Sequence, residues 1–582
     1  MGSMFLKLRS NILLNGDVDL AEREVKFFFK QVKRVTNDGE IEKKLGLPSY
    51  HVNDNTCKGE CIGFIVSKAN TDFINLVKLL NFIQEIWGKS SELAYVSLSN
   101  FSWAYELKID GIKYFCALPL MTCGELLSQS KTDETNVDDV RRLVAFLAGD
   151  KSSVSKKFKP PSTGGTSTQH LHSLHKYKAK FFPRLVRSFL VEHLEKIPRN
   201  KNKEVILLDP FVGSGTALIE ASLLGVKSTG VDIDKLSCAI TEAKFSALNL
   251  PPNILIEQIE LVKKKTLVAN STSNGYKFPK RISLKFDRLG AKDDQHEYEE
   301  TISHWLKAIN SVENQECKKV LLICLSDALT RKFVIRMMGT GVGRFALEIA
   351  KTSIDTLMNS NFKALIHSSY VVKTLIECYS LVPQPAEVIN GSAVNLSHKS
   401  NSISVVITSP PYLPASSGRE DYLIGKAISN IALNLMTDDE IEEAETKTVG
   451  SMKWSVDDAE GLPKSVYDLY TWLSNDQLRS IKAKPTLAYY VSLKQALMEN
   501  FRVLISNGLA IYVIGKESVF YRFSDREVLY KVECDKIFIE ISKSCGFIID
   551  EQIDVELDKK NKNARPRSLD SYYESVFILR KP

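Results

Sequence analysis

The sequence has few cysteines and no long hydrophobic run, and both absences restrict what the protein can be. Ten cysteines among 582 residues are too scattered for a disulfide framework. No apolar run approaches the ~20 residues that cross a bilayer, and the N-terminus lacks the apolar core of a signal peptide. We therefore expect a cytoplasmic protein with reduced thiols and no membrane partner.

Metal-binding motifs are also scarce. There is no HExxH pattern, and the one cluster to weigh as a zinc site is loosely spaced. Its members are His51, Cys57, Cys61, Cys116 and Cys123. Buried thiols are the favoured interpretation because the spacing is not that of paired CxxC motifs. We predict no metal at the active site.

The length predicts two or three domains, since a single core rarely serves so long a chain. Mixed helix and strand signals indicate an N-terminal α+β domain, in which residues 71–87 have helical spacing and residues 93–98 suggest a strand. A polar stretch with Pro and Gly pairs follows as a basic linker. Strands and helices then alternate, stop for a largely helical insertion, and resume. The predicted divisions are 4–150, 151–169, 170–250 with 386–582, and the insertion 251–385.

Positive charge is concentrated in two segments. Residues 151–187 hold nine Lys or Arg and no acid, and residues 559–567 hold five more. Such single-sign patches suit a polyanion such as nucleic acid. A solvated linker and tail would explain either segment alone.

A glycine turn follows the first strand of the alternating region. Residues 209–215 read DPFVGSG and lead into a helical pattern, so the backbone can approach a ligand closely and the helix start offers free N–H groups. Asp232 ends the next strand, 19 residues after Gly213, where a carboxylate can accept from ribose hydroxyls. This pattern predicts a cofactor that contains adenosine, with Asp234 as a helix cap.

A second motif ends the apolar strand at residues 404–408. The next four residues are Ser409, Pro410, Pro411 and Tyr412, and the two prolines stop the strand because they lack an N–H and fix φ. The result is a rigid corner with a hydroxyl, carbonyl acceptors and a phenol ring.

These motifs together resemble a known family. DPFVGSGT resembles the cofactor loop of S-adenosylmethionine-dependent DNA amino-methyltransferases, and SPPY resembles their catalytic tetrapeptide. The segment 175–183, HKYKAKFFP, is similar to one that many of them carry upstream, except that Lys176 and Lys178 replace the usual prolines. The resemblance implies an α/β, class I (Rossmann-like) fold with a seven-stranded, mostly parallel sheet over residues 170–250 and 386–582.

The resemblance also implies residue roles. The catalytic corner would be Ser409, Pro410, Pro411 and Tyr412, with Tyr412 stacking on a flipped base. The implied S-adenosylmethionine site comprises Phe181, Asp209, Pro210, Phe211, Gly213, Ser214, Gly215 and Asp232. The predicted nucleic-acid contacts are Lys176, Lys178, Lys180, Lys560, Lys562, Arg565 and Arg567.

The predicted reaction is methylation of an exocyclic amine in double-stranded DNA. No Pro-Cys dipeptide is present, so the covalent cytosine-C5 route is not expected. In the family that the chain resembles, serine at the first position of this tetrapeptide commonly goes with cytosine, so the resemblance favours cytosine N4. Adenine N6, guanine N2 of an RNA, and a non-catalytic nucleic-acid-binding subunit stay open. Residues 251–385 are the expected DNA-recognition region and residues 4–150 a recognition or assembly domain, with a restriction or defence partner as a further expectation.

Overall fold

We analysed a computed structural model of the chain. It describes residues 2–9, 15–48, 61–93, 95–130, 134–150, 170–177, 181–199, 204–268, 275–289, 292–337, 345–413, 423–451, 453, 456, 459–522, 524–525, 527–557 and 572–582.

The N-terminal domain is built on a six-stranded antiparallel sheet, in the order β2-β3-β1-β4-β6-β5. Its elements are β1 (Met4–Leu8), α1 (Asn15–Phe28), β2 (Phe29–Val35), α2 (Asp38–Leu45), β3 (Gly63–Ala69), α3 (Phe73–Leu79), β4 (Ile83–Lys89), β5 (Ala104–Ile109), β6 (Ile112–Ala117), α4 (Leu120–Ser128) and α5 (Val137–Leu147).

Strands and helices alternate in the next part of the chain. Its elements are α6 (Pro183–His193), β7 (Ile206–Asp209), α7 (Thr216–Leu223), β8 (Lys227–Asp232) and α8 (Lys235–Asn249). Five helices and a hairpin follow among the described residues: α9 (Pro252–Val268), α10 (Lys280–Leu289), α11 (Lys292–Asn310), α12 (Gln315–Lys332), β9 (Phe333–Met337), β10 (Phe345–Ile349) and α13 (Ile354–Tyr379).

The remaining strands complete the second sheet. The elements are β11 (Ala386–Asn390), β12 (Ile403–Thr408), α14 (Ala427–Ala432), α15 (Asp438–Lys447), α16 (Lys464–Asn475), α17 (Ala483–Val503), β13 (Leu504–Gly515), β14 (Ser518–Tyr521), β15 (Val528–Val532), α18 (Cys534–Ser544), β16 (Ile548–Leu557) and β17 (Tyr572–Arg580).

The large sheet has seven strands in the order β11-β8-β7-β12-β13-β17-β16. Numbered along the chain within this sheet, the strands run 3-2-1-4-5-7-6. The first five in space are parallel, and β17 is antiparallel to both of its neighbours. This is the class I, Rossmann-like methyltransferase fold, and it confirms the predicted fold class.

The central strand β12 shows why this sequence makes a parallel sheet. All six of its residues, ISVVIT, are buried, as expected for a strand covered on both faces. Val405 and Ile407 pack into one hydrophobic cluster and Val406 into another on the opposite face. Its alternation therefore places helices on both sides of the sheet.

The insertion and the N-terminal domain contact each other through α13. Tyr379, at the end of this helix, donates its hydroxyl to the carbonyl of Leu118 at 2.6 Å and stacks on Trp103 at a centroid distance of 6.2 Å. The helix also packs on α4 and α12. The N-terminal domain is thus held against the core of the rest of the protein.

A charged contact fixes the other side of this boundary. Arg23 of α1 donates to both carboxylate oxygens of Glu192 on α6, at 2.8 and 2.6 Å, and it also pairs with Glu551 on β16. One residue therefore ties the N-terminal domain to a helix and to the edge strand of the large sheet.

Two local predictions were wrong. Residues 71–87 are not one helix: α3 ends at Leu79, and Ile83, Ile86 and Trp87 lie fully buried in β4, between β1 and β6. Tertiary pairing overrides helical spacing when the same apolar residues fit the centre of a sheet. Residues 93–98 are also not a strand, because short 3₁₀ turns cover Ser90–Leu93 and Leu98–Asn100.

Neither a membrane span nor a metal cluster is found among the described residues. No helix there is long and apolar enough to cross a membrane, and no group of three His, Cys, Asp or Glu could hold a metal ion. His51 and Cys57 lie outside the described residues. Cys116 and Cys123 are buried free thiols, and Cys61 is partly buried.

Candidate functional site

The glycine loop and the SPPY corner emerge side by side from the large sheet. Their strands β7 and β12 are parallel neighbours, with Leu207 opposite Val405 and Leu208 opposite Val406. Because the chain goes from β7 to β8 on one side and β12 lies on the other, this is the switch point of the sheet, where ligands bind in open α/β folds.

A buried hydrogen bond joins the two motifs directly. The hydroxyl of Thr408, the residue before the SPPY corner, donates to Oδ1 of Asp209 at 2.6 Å. The same oxygen accepts from the N–H of Phe211 at 3.1 Å. Asp209 is only 2% exposed, and burial raises its pKa to about 7. The structure thus places this predicted cofactor residue as the link between loop and corner.

The glycine loop needs its glycines. Gly213 has φ +50° and Gly215 has φ +74°, values that side chains rarely adopt. A Cβ on Gly215 would lie 2.5 Å from Cγ2 of Thr241. The carbonyl of Ser214 accepts from the buried ammonium group of Lys244. The N-cap of α7 is Gly215, which makes no side-chain cap bond, and the first N–H groups of a helix point along its axis toward the preceding loop.

Asp232 lies across from this loop at the end of β8. Its Oδ2 accepts from the N–H of Gly213 at 2.9 Å, and its Oδ1 accepts from the N–H of Asp234 at 3.0 Å. The pKa of Asp232 is raised to about 6, chiefly by burial. The charge of Lys426 acts to lower this pKa, and the charge of Asp234 acts to raise it. Each carboxylate oxygen keeps a further lone pair for a hydroxyl group.

Asp234 has a different role, as predicted. It caps α8 by accepting from the N–H groups of Leu236 and Ser237, at 3.1 and 3.2 Å. It also accepts from Lys426 Nζ at 2.7 Å and from Asn430 at 3.3 Å. Asp234 therefore anchors the segment after the SPPY corner to the cofactor end of the sheet.

Tyr177 and Lys426 border the same region, although sequence reasoning missed both as site residues. The hydroxyl of Tyr177 lies 3.0 Å from Oγ of Ser237, and its ring is the nearest group to a Cβ built on Gly213, at 3.4 Å. Lys426 Nζ lies 3.0 Å from this hydroxyl and 4.5 Å from the ring centroid. Tyr177 is the tyrosine of the HKYKAKFFP segment, which was a usable signal for its position.

The predicted apolar walls of the cofactor site lie in different clusters. Phe181 is partly buried against the core that includes α6 and α7, whereas Phe211 is partly buried against the core on the other face of the sheet. Pro210 is buried between Asp209 and Phe211. The structure thus brings Phe211 and Pro210 to the loop and places Phe181 on the opposite face.

The SPPY corner carries a chain of hydroxyl groups that ends at a carboxylate. Ser409 Oγ donates to the Tyr412 oxygen at 3.4 Å, and Tyr412 donates to Oε1 of Glu574 on β17 at 2.8 Å. Tyr489 donates to the carbonyl of Pro411 at 3.0 Å. Burial raises the pKa of Tyr412, and Glu574 raises it further. Glu574 has no sequence motif around it that could have predicted this contact.

The four residues of the corner differ in how far they are exposed to solvent. Pro410 is buried, Ser409 and Pro411 are partly buried, and Tyr412 is 40% exposed. The Tyr412 ring lies beside Gly515, where a Cβ would be 3.5 Å from its Cδ2. The corner therefore offers acceptors on a stiff backbone and an aromatic ring that is accessible to a ligand.

The predicted nucleic-acid contacts are described only at Lys176. Its side chain is exposed, and its N–H donates to Oδ1 of Asp327 in α12 at 2.6 Å. A pocket of about 400 Å³ lies between this segment and α12 and α13. The other predicted contacts, Lys178, Lys180, Lys560, Lys562, Arg565 and Arg567, lie outside the described residues.

The site can hold an adenosine-containing group by its own geometry. Gly213 and Gly215 keep the loop free of side chains, the start of α7 offers N–H groups, and Asp232 offers carboxylate oxygens. The fold and the site together place a glycine loop suited to a nucleotide cofactor beside a corner of hydrogen-bond acceptors.

Sequence comparison finds similarity to bacterial and archaeal methyltransferases. The chain is 36% identical over 99 residues to the Type II methyltransferase M.MjaII of Methanocaldococcus jannaschii, covering 17% of each chain. It is 26% identical over 385 residues to M.MvaI of Kocuria varians, covering 61% of this chain and 79% of that one. It is 25% identical over 272 residues to M.BsoBI of Geobacillus stearothermophilus, covering 42% and 50%.

These similarities are partial. The chain spans half or less of the length of two of the three relatives, and no family profile matches it. Among solved structures, a SAM-dependent methyltransferase of Methanosarcina mazei aligns over 67% of this chain and 96% of that chain at 10% identity, with a TM-score of 0.23. A TM-score of 0.23 carries no argument, so the fold assignment rests on the strand order of the large sheet.

Proposed function

We propose that the protein is a DNA methyltransferase that moves a methyl group from S-adenosylmethionine to an exocyclic amine, N4 of cytosine. The observation that carries the proposal is the hydrogen bond between Thr408 and Asp209. Because of this contact, a cofactor on the glycine loop and an amine at the SPPY corner would be neighbours. The similarity to three Type II methyltransferases supports the same chemistry.

The cofactor end provides the groups that this ligand needs. S-adenosylmethionine supplies a methyl group on a cationic sulfur, which is already activated for transfer. In the proposal, Gly213 and Gly215 admit its methionine end and Asp232 accepts from the ribose hydroxyls. Pro210, Phe211 and Ser214 are the proposed walls within the loop, Phe181 is the proposed wall from the opposite face of the sheet, and Asp209 positions the loop.

The SPPY corner provides acceptors for the hydrogens of the amine. Glu574, when ionised, can only accept, so Tyr412 donates to it and leaves its oxygen to accept the hydrogen of Ser409. Ser409 Oγ then keeps its lone pairs for the amine, and the carbonyl of Pro410 takes the second hydrogen. Holding both hydrogens would aim the nitrogen at the methyl group, which favours transfer by orientation. As the nitrogen–carbon bond forms, the carbon–sulfur bond would break to release S-adenosylhomocysteine, and one amine hydrogen would leave as a proton to its acceptor.

The target base would reach this corner by leaving its stack. A base flipped out of double-stranded DNA can stack on the exposed ring of Tyr412. The serine at the first position of the corner favours cytosine over adenine.

The insertion 251–385 and the N-terminal domain are the proposed recognition or assembly regions. Proposed phosphate contacts are Lys176, Lys178, Lys180, Lys560, Lys562, Arg565 and Arg567. A cytoplasmic location and a restriction or defence partner remain predictions.

Mass spectrometry of nucleosides tests this proposal. The protein is incubated with S-adenosylmethionine carrying a deuterated methyl group and with duplex DNA, single-stranded DNA or tRNA, and the nucleosides are then analysed. We expect labelled N4-methylcytosine from duplex DNA. Labelled N6-methyladenine would overturn the choice of cytosine, and labelled guanine from tRNA would overturn the choice of DNA. Cofactor binding without transfer to any nucleic acid would indicate a non-catalytic subunit.

Two serines on either side of β12 give a matched pair of variants. Ser409→Ala removes the proposed acceptor, so we expect transfer to slow by ~10-fold or more while cofactor affinity stays the same. Ser402→Ala removes a hydroxyl that donates to the carbonyl of Lys399 at 2.6 Å, at the opposite end of the strand, and should keep the wild-type rate. Equal rates for the two variants would contradict the role of Ser409.

A further inference from the structure

Lys426 is a largely buried cation at the cofactor end of the sheet. Its side chain is 19% exposed, and its ammonium group lies 2.7 Å from Oδ2 of Asp234. It also contacts the hydroxyls of Tyr177 and Ser237, at 3.0 and 3.1 Å, and lies over the Tyr177 ring. These contacts join three separate segments of the chain: the HKY segment, the start of α8 and the segment after the SPPY corner.

An ordinary structural role would explain part of this arrangement. Asn430 follows Lys426 by four residues and also donates to Asp234, so the two residues together dock α14 on α8. A neutral side chain would serve such docking, as Asn430 does. A charge is not required for it, and burying a charge is costly unless the site needs that charge.

The groups around Lys426 show what the charge can do. Asp232 and Asp234 stand two residues apart and repel each other, and Asp209 and Cys238 add further titratable groups near Asp232. Tyr177 is neutral because burial raises its pKa. Within the described residues, Lys426 is the cation that lowers the pKa of both carboxyl groups. The charge of Lys426 therefore opposes the rise in carboxyl pKa that is caused by burial and by the repulsion between the two aspartates.

We propose that Lys426 is a positioning residue of the cofactor site: its ammonium group offsets the two carboxylates and keeps Asp232 ionised, ready to accept the ribose hydroxyls. The inference rests on the proposed function, since it assumes that Asp232 binds the ribose. It also gives the segment after the SPPY corner a part in cofactor binding, because that segment carries Lys426.

The pH dependence of cofactor affinity tests the inference. Binding needs Asp232 in its ionised form, so affinity is full above the pKa of this group and is lost as the pH falls through it, near pH 6 in the wild type. Removing a nearby opposite charge raises a carboxyl pKa by about 1–3 pH units. Lys426→Met should therefore bind S-adenosylhomocysteine about 10-fold more weakly at pH 7 and recover toward pH 9.

Asp234→Asn gives a second variant that keeps the helix cap, since asparagine caps helices as well as aspartate does. It removes the repulsion and leaves Lys426 facing Asp232, so binding should persist to lower pH than in the wild type. The double variant Lys426→Met/Asp234→Asn loses one charge of each sign and should return the profile toward the wild type. Asn430→Ala, the structural control, removes a neutral contact to Asp234 and should leave the profile in place.

Isothermal titration calorimetry with S-adenosylhomocysteine between pH 5.5 and 9 gives the readout. Opposite displacements of the profile in Lys426→Met and Asp234→Asn support the inference. If the profiles of Asp234→Asn and the double variant coincide with each other, Lys426 has no effect on Asp232 and the inference is overturned, even if Lys426→Met does not fold. A wild-type protein that binds neither S-adenosylhomocysteine nor S-adenosylmethionine would instead refute the proposed function.

Discussion

Thr408→Val probes the hydrogen bond that joins the glycine loop to the SPPY corner. Valine has nearly the shape of threonine, so the substitution removes the 2.6 Å bond to Asp209 and changes little else. Both residues are buried, so no water replaces the lost donor. A hydrogen bond to a charged group contributes about 1.5–3 kcal/mol, and one to a neutral group about 0.5–1.5 kcal/mol.

The cost of Thr408→Val should therefore depend on pH. The pKa of Asp209 is about 7 in the folded protein, above its value in an unfolded chain, so folding favours the protonated form. At pH 5.5 Asp209 is protonated in the folded wild type and in the folded variant, so the substitution removes a hydrogen bond to a neutral carboxyl group. At pH 8.5 the wild type is ionised and the charged bond is lost. We expect a cost of about 1 kcal/mol at pH 5.5 and about 2 kcal/mol at pH 8.5.

Thermal unfolding at the two pH values measures this difference, with Thr229→Val as the control. Thr229 is also buried in the large sheet, and its hydroxyl lies 3.1 Å from Nε2 of His398. Burial lowers the pKa of His398, so that partner gains no charge as the pH rises from 5.5 to 8.5. The loss of melting temperature should grow with pH for Thr408→Val alone. Equal losses at pH 5.5 and 8.5, or the same trend in the control, would refute the reasoning.

Two further predictions concern the loop and the corner. Gly215→Ala should lower the melting temperature more than Gly225→Ala, because both glycines have φ near +75° but only the first faces Thr241 at 2.5 Å; equal losses would mean that the backbone strain alone matters. Glu574→Ala releases the Tyr412 hydroxyl and should slow single-turnover methyl transfer about 5-fold, whereas Glu574→Gln keeps an acceptor oxygen and should lose less. A glutamine variant as slow as the alanine variant would show that the charge, and not the position of Tyr412, is what counts.

Local sequence was sufficient to predict much of the large sheet and its loops. The β-branched run of β12 and the two prolines after it predicted a short apolar strand with a sharp end; β12 ends at Thr408, and all six of its residues are buried. The glycines of the loop predicted a close backbone turn, and both have positive φ. Asp234 was predicted as a helix cap from its place after a strand, and it caps α8.

The residues that the sequence did not indicate owe their positions to tertiary folding. Lys426 lies 192 residues from Asp234, and Glu574 lies 162 residues from Tyr412, so neither belongs to a motif with its partner. Residues 83–87 have helical spacing but occupy the centre of an antiparallel sheet, where pairing with β1 and β6 decides. Spacing along the chain carries no information about partners that arrive from another element.

The N-terminal domain and the large sheet share one hydrophobic core. The cluster that contains Trp87 and Phe115 of the N-terminal sheet continues through Phe189 of α6 to Val405 and Ile407 of β12. A substitution on either side of this boundary therefore changes the packing of both parts. The two parts should unfold in a single cooperative transition, and neither can be exchanged for an unrelated module without rebuilding the surface of the other.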